Sequence, residues 1–472
     1  MIRSGLFVAL ASLCACATAE RPREEATAAA SSGARQRLDA TIRFLADEQL
    51  EGRGTPSRGL DIAALYLAAE LRAAGWRPGQ DGSYLQTYET LGYSPAEAKT
   101  RVLLNGHELK PTEFVFQNRG IDPATTPRRY DLMFGGHAIV WPERGVDQLG
   151  GADLRGKAVI ALKGGPWPFE TNALPLLPDH FIGKGVQAMV RNAAASIYVT
   201  DEFGRLDRPG EMRTLQMRSK FQVSMLAAGA GRATPPWAPI VAISPEVFDR
   251  ELAEVAGGTY DQWQERLTKS DSHPRTIDAG VEIQIDVPTS RASASNVVAT
   301  LPGSDLNDEW VVLMAHYDHL GTRDAKPGED RVYHGADDNA SGSAAVLEVA
   351  RRLASGGKPR RSVLCLLTSG EERYLLGSAW YTLHPIAPIE KIAAYINVDM
   401  VGRSAGDVSA IAALSPEMAA AMTEAGAGRG IRVGPDPKPE VRSIYLTDSY
   451  SFARLDVPGV HLFTDEVSGS LR

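Results

Sequence analysis

Cysteine is scarce in this sequence. The 472 residues include three cysteines, and two of them, Cys14 and Cys16, lie within the first twenty positions. Cys365 is left without a cysteine partner in the rest of the chain, which excludes a fold held together by disulfides. A basic excess is also missing, because 50 Lys and Arg face 58 Asp and Glu for a net charge of −8. This balance argues against a nucleic-acid-binding surface but is too mild to indicate a substrate.

The first nineteen residues predict an export signal. One arginine precedes an apolar core from Leu6 to Leu13, and small residues follow this core. The apolar core is too short to span a bilayer. Two processing sites compete, because ATA before Glu20 suits ordinary cleavage, whereas LCAC resembles a lipobox in which Cys16 would carry a lipid anchor. We therefore expect an exported protein that is periplasmic, secreted or anchored as an outer-surface lipoprotein.

Composition divides the remaining chain into segments of different texture. The charged, Ala/Ser-rich stretch after the signal predicts a linker, and the Pro/Gly-rich middle with short β-like runs predicts an inserted β-rich domain. The expected segments are a signal peptide at 1–19, a linker at 20–35, a helical part at 36–83, the β-rich insertion at 84–287 and the main domain at 288–472.

The last segment predicts an α/β fold. Three near-continuous apolar runs, VVLMAHYD (311–318), SVLCLLTSG (362–370) and AAYINVDMVG (393–402), are typical of strands covered on both faces. A helix with an apolar stripe lies between the first two runs. This alternation predicts a mixed, mostly parallel sheet with right-handed crossovers and helices on both faces.

Each of these strands ends in polar groups that an apolar run would not normally carry. The groups are His316 with Asp318 after the first run, Asp337 with Asp338 before the helix, Glu371 with Glu372 after the second run, and Asp399 near the end of the third. Ligands bind beyond the carboxyl ends of strands in open α/β sheets, so these side chains should converge.

Taken singly, these residues have ordinary interpretations. His316 could be a core histidine, Asp338 a helix N-cap, and Asp399 an ion-pair partner of Arg403. The Glu371-Glu372 pair could be a solvated turn. Taken together, several buried carboxylates around one histidine repel each other and require cations. Imidazole and carboxylates without cysteine suit Zn²⁺ or a similar divalent ion.

The same residues predict a chemistry. One carboxylate with two oxygens can bridge two metals roughly 3.5–4 Å apart, and the pair would produce a water nucleophile near neutral pH. Of the adjacent Glu371 and Glu372, one can be a ligand while the other acts as general base. Asp318 lies two residues beyond His316 on the same face of the strand, where it can hydrogen-bond the imidazole and fix its tautomer.

These motifs carry a family resemblance. AHYDHLG, GADDNASGSAAVLEVAR, TSGEERYLLGS and NVDMVGR, in this order, closely resemble the dizinc exopeptidases that include bacterial leucyl aminopeptidases and glutamate carboxypeptidase. FLADEQLEGRGTPSRGLDIAALYLAAELRAAGWRP near the N-terminus is similar to bacterial members, and DLRGKAVIALKGG resembles their protease-associated domain. The resemblance covers nearly the whole mature chain and implies a phosphorylase/hydrolase-like fold, two zinc ions and a peptide substrate.

The resemblance also implies a role for each site residue. His316 and Asp399 would hold one zinc, Glu372 the other, and Asp338 would bridge them. Glu371 would be the general base, and a cis peptide bond would follow Asp338. The choice of Asp338 over Asp337, and of Glu371 over Glu372 as base, depends on this motif alignment because spacing leaves both open.

The sequence departs from the family pattern near its C-terminal end. The fifth ligand of the family is a histidine in a Tyr-His pair shortly after a strand that resembles PGVHLFT, and the tyrosine helps stabilise the tetrahedral intermediate. Here DEVSGSLR follows PGVHLFT, and neither residue type occurs after Phe463. His319, His334 and His461 are the alternative ligands, and His461 is expected to pack within its strand.

Three functions follow from this reading. The first is an exported zinc exopeptidase, with aminopeptidase favoured. The second is an inactive or weakly metallated chain that keeps the fold and acts as a binding scaffold. The third is a glutaminyl-cyclase-like enzyme with one zinc, which the combined presence of Glu371 and Asp399 disfavours.

Overall fold

The computed structural model separates the chain into two compact units. Unit 1 comprises residues 1–89, 292–439 and 443–472, and unit 2 comprises residues 90–291 and 440–442. The structure describes residues 23–93, 99–117, 128–141, 146–165, 193–201, 222–225, 239–269, 274–286, 289–323, 325–403, 407–413, 415–435 and 443–464. The predicted export signal and the lipobox with Cys16 lie outside these residues. Within the described part of the chain, no helix has the length and apolar character needed to cross a bilayer.

The regular elements are numbered in chain order. The α-helices are α1 (Arg23–Leu45), α2 (Arg58–Ala73), α3 (Pro245–Ala256), α4 (Tyr260–Lys269), α5 (Gly342–Ser355), α6 (Leu376–Leu383), α7 (Pro416–Ala427) and α8 (Ser449–Ala453). The strands up to the end of unit 2 are β1 (Arg77–Pro78), β2 (Leu85–Tyr93), β3 (Lys99–Leu104), β4 (His107–Glu108), β5 (Phe114–Gln117), β6 (Arg128–Phe134), β7 (Val140–Trp141), β8 (Val146–Asp147), β9 (Lys157–Leu162), β10 (Ala195–Val199), β11 (Gln222–Met225), β12 (Ile240–Ile243) and β13 (Arg275–Asp286). The later strands are β14 (Thr289–Leu301), β15 (Leu306–His316), β16 (Arg361–Thr368), β17 (Ile392–Val398), β18 (Asp407–Ala413), β19 (Arg432–Gly434) and β20 (Gly459–Phe463).

A mixed sheet forms the core of unit 1. Strands β16, β15, β17 and β20 lie side by side and run parallel. Strand β14 pairs antiparallel with β16, and β18 pairs antiparallel with β20. The three apolar runs identified in the sequence are the central strands β15, β16 and β17, so the predicted mixed α/β fold is confirmed. Because these strands are parallel, their carboxyl ends meet at one edge of the sheet.

Two short helices cover apolar side chains of the central strands. Val312, Met314 and Leu364 are fully buried and pack with Tyr381 of α6 and Phe452 of α8. Burying each such side chain contributes about 1.5–3 kcal/mol. This packing fixes the strands, and with them the positions at which the strands end.

The structure corrects the prediction of a linker at 20–35. Helix α1 begins at Arg23, so most of that stretch is helical. The physical reason is that Ala, Glu and Arg, which gave the segment its polar and low-complexity appearance, are also strong helix formers. Arg37 of this helix forms an ion pair of 2.7 Å with Glu348, which connects α1 to α5.

Unit 2 contains a sheet with the strand order β4-β3-β13-β6-β9-β10-β12-β5. Its core includes Leu132, Ile160 and Ile197 of adjacent strands, packed with Phe248 of α3. The expected insertion spanned 84–287, and the unit spans 90–291. Its assignment as a protease-associated domain stays a prediction.

Candidate metal centre

The carboxyl edge of the unit 1 sheet collects two groups of histidine and carboxylate side chains. His316, Glu371 and Asp399 form the first group, in which one donor atom from each residue lies within 4.8 Å of the others. His316 is the last residue of β15, Glu371 follows β16, and Asp399 follows β17. The sheet therefore brings together residues from three parallel strands, as their spacing in the sequence predicts.

The second group consists of His319, Asp338 and Glu372, whose donor atoms also lie within 4.8 Å of one another. His319 lies in the loop after β15, and Asp338 lies, with a non-helical backbone conformation, in the turn that leads into α5. His319 Nδ1 is 2.7 Å from Glu372 Oε1 and 3.8 Å from Asp338 Oδ2.

Asp338 faces both groups. Its Oδ1 lies 3.3 Å from His316 Nε2, whereas its Oδ2 lies 3.8 Å from His319 Nδ1. Asp399 Oδ1 is also 3.3 Å from His316 Nε2. One carboxylate that directs a different oxygen to each of two imidazoles has the arrangement needed to bridge two cations. The peptide bond between Asp338 and Asn339 is cis, in agreement with the expectation from the family resemblance.

The alternative aspartate of the pair is engaged elsewhere. Asp337 Oδ2 lies 2.6 Å from Arg403 Nε, and Asp337 Oδ1 accepts a hydrogen bond of 2.7 Å from the Gly402 amide. Arg403 was the partner considered for Asp399, so the structure assigns that ion pair to Asp337 instead. Asp399 remains with the histidines.

Asp318 is completely buried beneath the first group. Its Oδ2 accepts a hydrogen bond of 3.0 Å from Thr55 Oγ1, and its Oδ1 accepts one of 3.1 Å from the Glu371 amide. His316 Nδ1 lies 3.2 Å from the Asp318 carbonyl oxygen and 3.6 Å from its carboxylate. The nearest acceptor for the imidazole is thus the backbone of Asp318, while its carboxylate holds the turn that carries Glu371.

Electrostatics in these groups favour a cation. Burial raises the pKa of Glu371 well above its ordinary value, and the neighbouring Glu372 and Asp399 carboxylates raise it further against the opposing effect of His316. Burial would lower the pKa of His316, but Glu371 and Asp399 raise it well above the ordinary value. Acids that retain protons and an imidazole that attracts one indicate a cluster with too much negative charge. The donors fit zinc, which binds imidazole nitrogen and carboxylate oxygen.

Two buried charged residues of the centre were not singled out in the sequence. Arg53 is fully buried, and its guanidinium donates to the carbonyl oxygens of Tyr317, Gly335, His334 and Leu45. It interacts electrostatically with Asp318, Asp338 and Glu372. The sequence feature that could have identified Arg53 is its position within the LEGRGTPS motif.

Asp448 is the other such residue. It is buried just before α8, accepts a hydrogen bond from Thr368 Oγ1, and interacts electrostatically with His316 and Glu371. Burial raises its pKa to about 6.

Two other histidines have their partners outside the two donor groups. His334 Nδ1 lies 3.0 Å from the Ala46 carbonyl, and its Nε2 lies 3.1 Å from Asp330. His461 is buried in β20, where its Nδ1 lies 3.2 Å from Asn397 Nδ2 and its ring stacks on Phe463. His461 therefore packs within the sheet, as its place in a strand predicts.

A parallel-strand edge that carries buried histidines and carboxylates is typical of a metal-dependent hydrolase. The sequence model of Peptidase family M28 matches residues 296–469, the segment that contains both groups. The similarity to Peptidase family M28 therefore lies in the segment of the chain that carries the two donor groups.

Two relatives match about a quarter of the chain. Leupeptin-inactivating enzyme 1 of Streptomyces exfoliatus is 39% identical over 118 residues, which cover 24% of this chain and 24% of that protein. A protein of Leptosphaeria maculans named "Probable zinc metalloprotease" is 35% identical over 113 residues, covering 24% of this chain and 26% of that protein. The matched segment spans about a quarter of the length of these relatives.

Solved structures resemble the chain over a longer stretch. An aminopeptidase from Aneurinibacillus sp. strain AM-1 is 17% identical and has a TM-score of 0.43, covering 92% of this chain and 85% of its own. A zinc aminopeptidase from Bacillus subtilis is 16% identical and has a TM-score of 0.41, covering 92% and 87% respectively.

Proposed function

We propose that this chain is a zinc-dependent exopeptidase that acts as an aminopeptidase. The observation that carries the proposal is the position of Asp338, which directs one carboxylate oxygen to each of two buried histidines. The resemblance of the four motifs to bacterial leucyl aminopeptidases favours release of N-terminal residues. The substrate class is therefore a peptide with a free amino terminus.

In this proposal each metal ligand has a defined place. His316 and Asp399 would hold one zinc, Glu372 would hold a second, and Asp338 would contact both. Bound zinc would supply a Lewis acid that polarises a carbonyl oxygen and acidifies water. The buried carboxylates of the two groups would be neutralised by these ions, which accounts for their accumulation at one edge of the sheet.

Glu371 is the proposed general base. Its side chain lies next to His316 and Asp399, and burial together with the adjacent acids raises its pKa well above the ordinary value. A carboxyl group with a raised pKa can accept a proton from the attacking water and deliver it to the leaving amine. Asp318 has a positioning role, because its carboxylate accepts the amide hydrogen bond of Glu371 and fixes the turn after β16.

The test combines an assay with metal analysis of the full chain. The unmodified protein should hydrolyse aminoacyl-nitroanilides. Glu371→Ala should lose roughly 10²–10⁴-fold in kcat, the usual contribution of a general base, while its zinc content stays unchanged. Glu390→Ala, which removes an exposed glutamate outside the centre, is the matched control and should retain full activity.

Two results would contradict the proposal. Unchanged activity in Glu371→Ala would remove Glu371 from the mechanism. A zinc-loaded protein that hydrolyses neither aminoacyl-nitroanilides nor peptides would favour the binding scaffold, and conversion of N-terminal glutamine to pyroglutamate would favour the cyclase.

Export is a separate part of the proposal. The apolar core from Leu6 to Leu13 and the small residues after it support an export signal, with Cys16 as the anchor if the lipobox is used. Mass spectrometry of the mature N-terminus would distinguish the two processing sites. A retained Met1 would contradict export.

A further inference from the structure

We propose that His319 is the imidazole ligand of the second zinc site, which it forms with Asp338 and Glu372. The inference rests on the proposed zinc-dependent function and extends it to a ligand outside the set implied by the family motifs. It comes from the second group of donors, in which His319 Nδ1 lies 2.7 Å from Glu372 Oε1 and 3.8 Å from Asp338 Oδ2.

The distance expected between two donor atoms of one zinc ion lies between these two values. Zinc binds nitrogen and oxygen at about 2.0–2.2 Å, so two ligands of a tetrahedral ion lie about 3.4 Å apart. The imidazole nitrogen is slightly too close to Glu372 and slightly too far from Asp338. Shifts of a few tenths of an ångström in three side chains would bring the donors to that spacing, with no change in the backbone.

The His319 backbone is already held in place. Its amide donates a hydrogen bond of 3.2 Å to the Arg53 carbonyl, and His319 pairs with Gly54 in a short parallel bridge. The Arg53 side chain also donates a hydrogen bond of 2.7 Å to the Tyr317 carbonyl, so one buried residue holds the loop at two positions. The loop therefore presents the imidazole from a fixed position, which a metal ligand requires.

The imidazole ring of His319 is also held in place by its neighbours. Gly335 has a φ of 61°, and a Cβ at this position would lie 2.7 Å from Cδ2 of His319 and 2.4 Å from the Asp338 carbonyl oxygen. Only glycine leaves room for the imidazole beside the turn that carries Asp338. Tyr333 contacts the ring edge-on, with centroids 6.5 Å apart. The side chain of His319 is 10% exposed.

The other nearby imidazoles do not reach these carboxylates. His334 is occupied by Ala46 and Asp330, and His461 by Asn397. Among the described residues, His316 and His319 are the histidines in the candidate metal groups. Since His316 belongs to the first group, His319 is the imidazole nitrogen donor of the second group.

The competing explanation is a metal-free ion pair between His319 and Glu372. Metal content separates the two, because loss of a pair partner leaves zinc in place whereas loss of a ligand releases it. We expect the unmodified full chain to bind two zinc ions, measured by calorimetry of the metal-free protein and by elemental analysis. His319→Ala should bind one, with the second site weakened by more than the roughly 10–100-fold that loss of an outer partner costs.

His334→Ala is the matched control, since it removes a half-exposed histidine from the same segment and should keep two zinc ions. Far-UV circular dichroism of the metal-free variants establishes that both are folded. Two zinc ions with unchanged affinity in His319→Ala would overturn the inference.

A measurement on the unmodified protein guards against a variant that fails to fold. X-ray absorption fine structure of the zinc-loaded chain should give an average of about one imidazole per zinc if His316 and His319 each bind an ion. An average of about one half would overturn the inference, because His316 would then be the sole imidazole donor to two ions.

The two proposals fail in different ways. Peptide hydrolysis with unchanged zinc binding in His319→Ala would leave the exopeptidase function standing and remove His319 from the metal centre. Two bound zinc ions, one of them lost in His319→Ala, without hydrolysis of any peptide would support the ligand and remove the exopeptidase function.

Discussion

The two donor groups at the sheet edge differ in the charge that surrounds them. The first group, around His316 and Glu371, has a further buried carboxylate nearby in Asp448. The second group, around His319 and Glu372, interacts instead with the buried guanidinium of Arg53. A nearby anion strengthens cation binding, and a nearby cation weakens it. If both groups bind zinc as proposed, the two sites would have similar donor chemistry and different intrinsic affinity.

The difference also concerns how each group is held. The donors of the first group follow directly from the ends of three strands. The histidine of the second group lies in a loop whose backbone depends on Arg53, which donates to carbonyl oxygens from both sides of that loop. The histidine of the first group is thus positioned by the end of a strand, and the histidine of the second group by a loop that the Arg53 side chain helps to hold.

Removing that side chain should produce the largest effect on stability. Arg53→Met removes a hydrogen-bond donor from the carbonyl oxygens of Tyr317, His334 and Leu45, and we expect a loss of about 3–5 kcal/mol in the free energy of unfolding. Urea unfolding in the presence of a chelator measures this without the contribution of metal.

Arg43→Met is the control for the loss of an arginine. Arg43 pairs with Asp39 at 2.8 Å, but its side chain is 78% exposed, so the change should have little effect on the free energy of unfolding. A similar small loss in Arg53→Met would mean that the loop is held by other contacts.

Asp448 provides the next test, through pH. Burial raises its pKa to about 6, so the folded chain retains a proton that the unfolded chain releases near pH 4. The folded state therefore loses stability as pH rises from about 4 to about 6, by up to roughly 3 kcal/mol for a shift of two units. Asp448→Asn should remove this loss and be more stable than the unmodified chain above pH 6.

The measurement is urea unfolding of metal-free protein at several pH values between 4 and 7.5. Asn can still accept the hydrogen bond from Thr368, so the comparison isolates the charge. Asp308→Asn, which changes an exposed partner of Lys391, should keep the loss of stability between pH 4 and pH 6, because Lys391 lowers the pKa of Asp308 and its effect falls below that range. Parallel profiles for Asp448→Asn and the unmodified chain would show that Asp448 titrates normally.

The sequence predicted the parts of the centre that depend on strand order. Glu371, Glu372 and Asp399 follow apolar runs of the kind that form parallel strands, and parallel strands end at one edge. Arg53 could not be found this way, because it binds carbonyl oxygens of residues more than 260 positions away, and carbonyl acceptors leave no side-chain pattern. Asp448 was missed because burial, rather than residue type, gives it its unusual pKa.

The parallel core of the fold was likewise predictable, since near-continuous apolar runs require cover on both faces. The antiparallel strands at its sides, β14 and β18, were not assigned to the sheet, because the residue pattern within a strand does not specify which strand lies next to it. The linker expected at 20–35 was wrong because polar composition alone does not distinguish a charged helix from a mobile segment.

The smallest expected effect is the order in which the two zinc ions leave. Asp448 adds negative charge near the first group, and Arg53 adds positive charge near the second, so we expect the second group to bind zinc about tenfold more weakly, or about 1.4 kcal/mol. Stepwise dialysis against a chelator, with zinc quantified at each step, should give two phases in the unmodified chain. His319→Ala should lack the weaker phase, and Asp448→Asn should bring the two phases closer together by weakening the tighter site. Two phases that His319→Ala leaves unchanged, or a gap that widens in Asp448→Asn, would mean that the neighbouring charges do not set the difference between the sites.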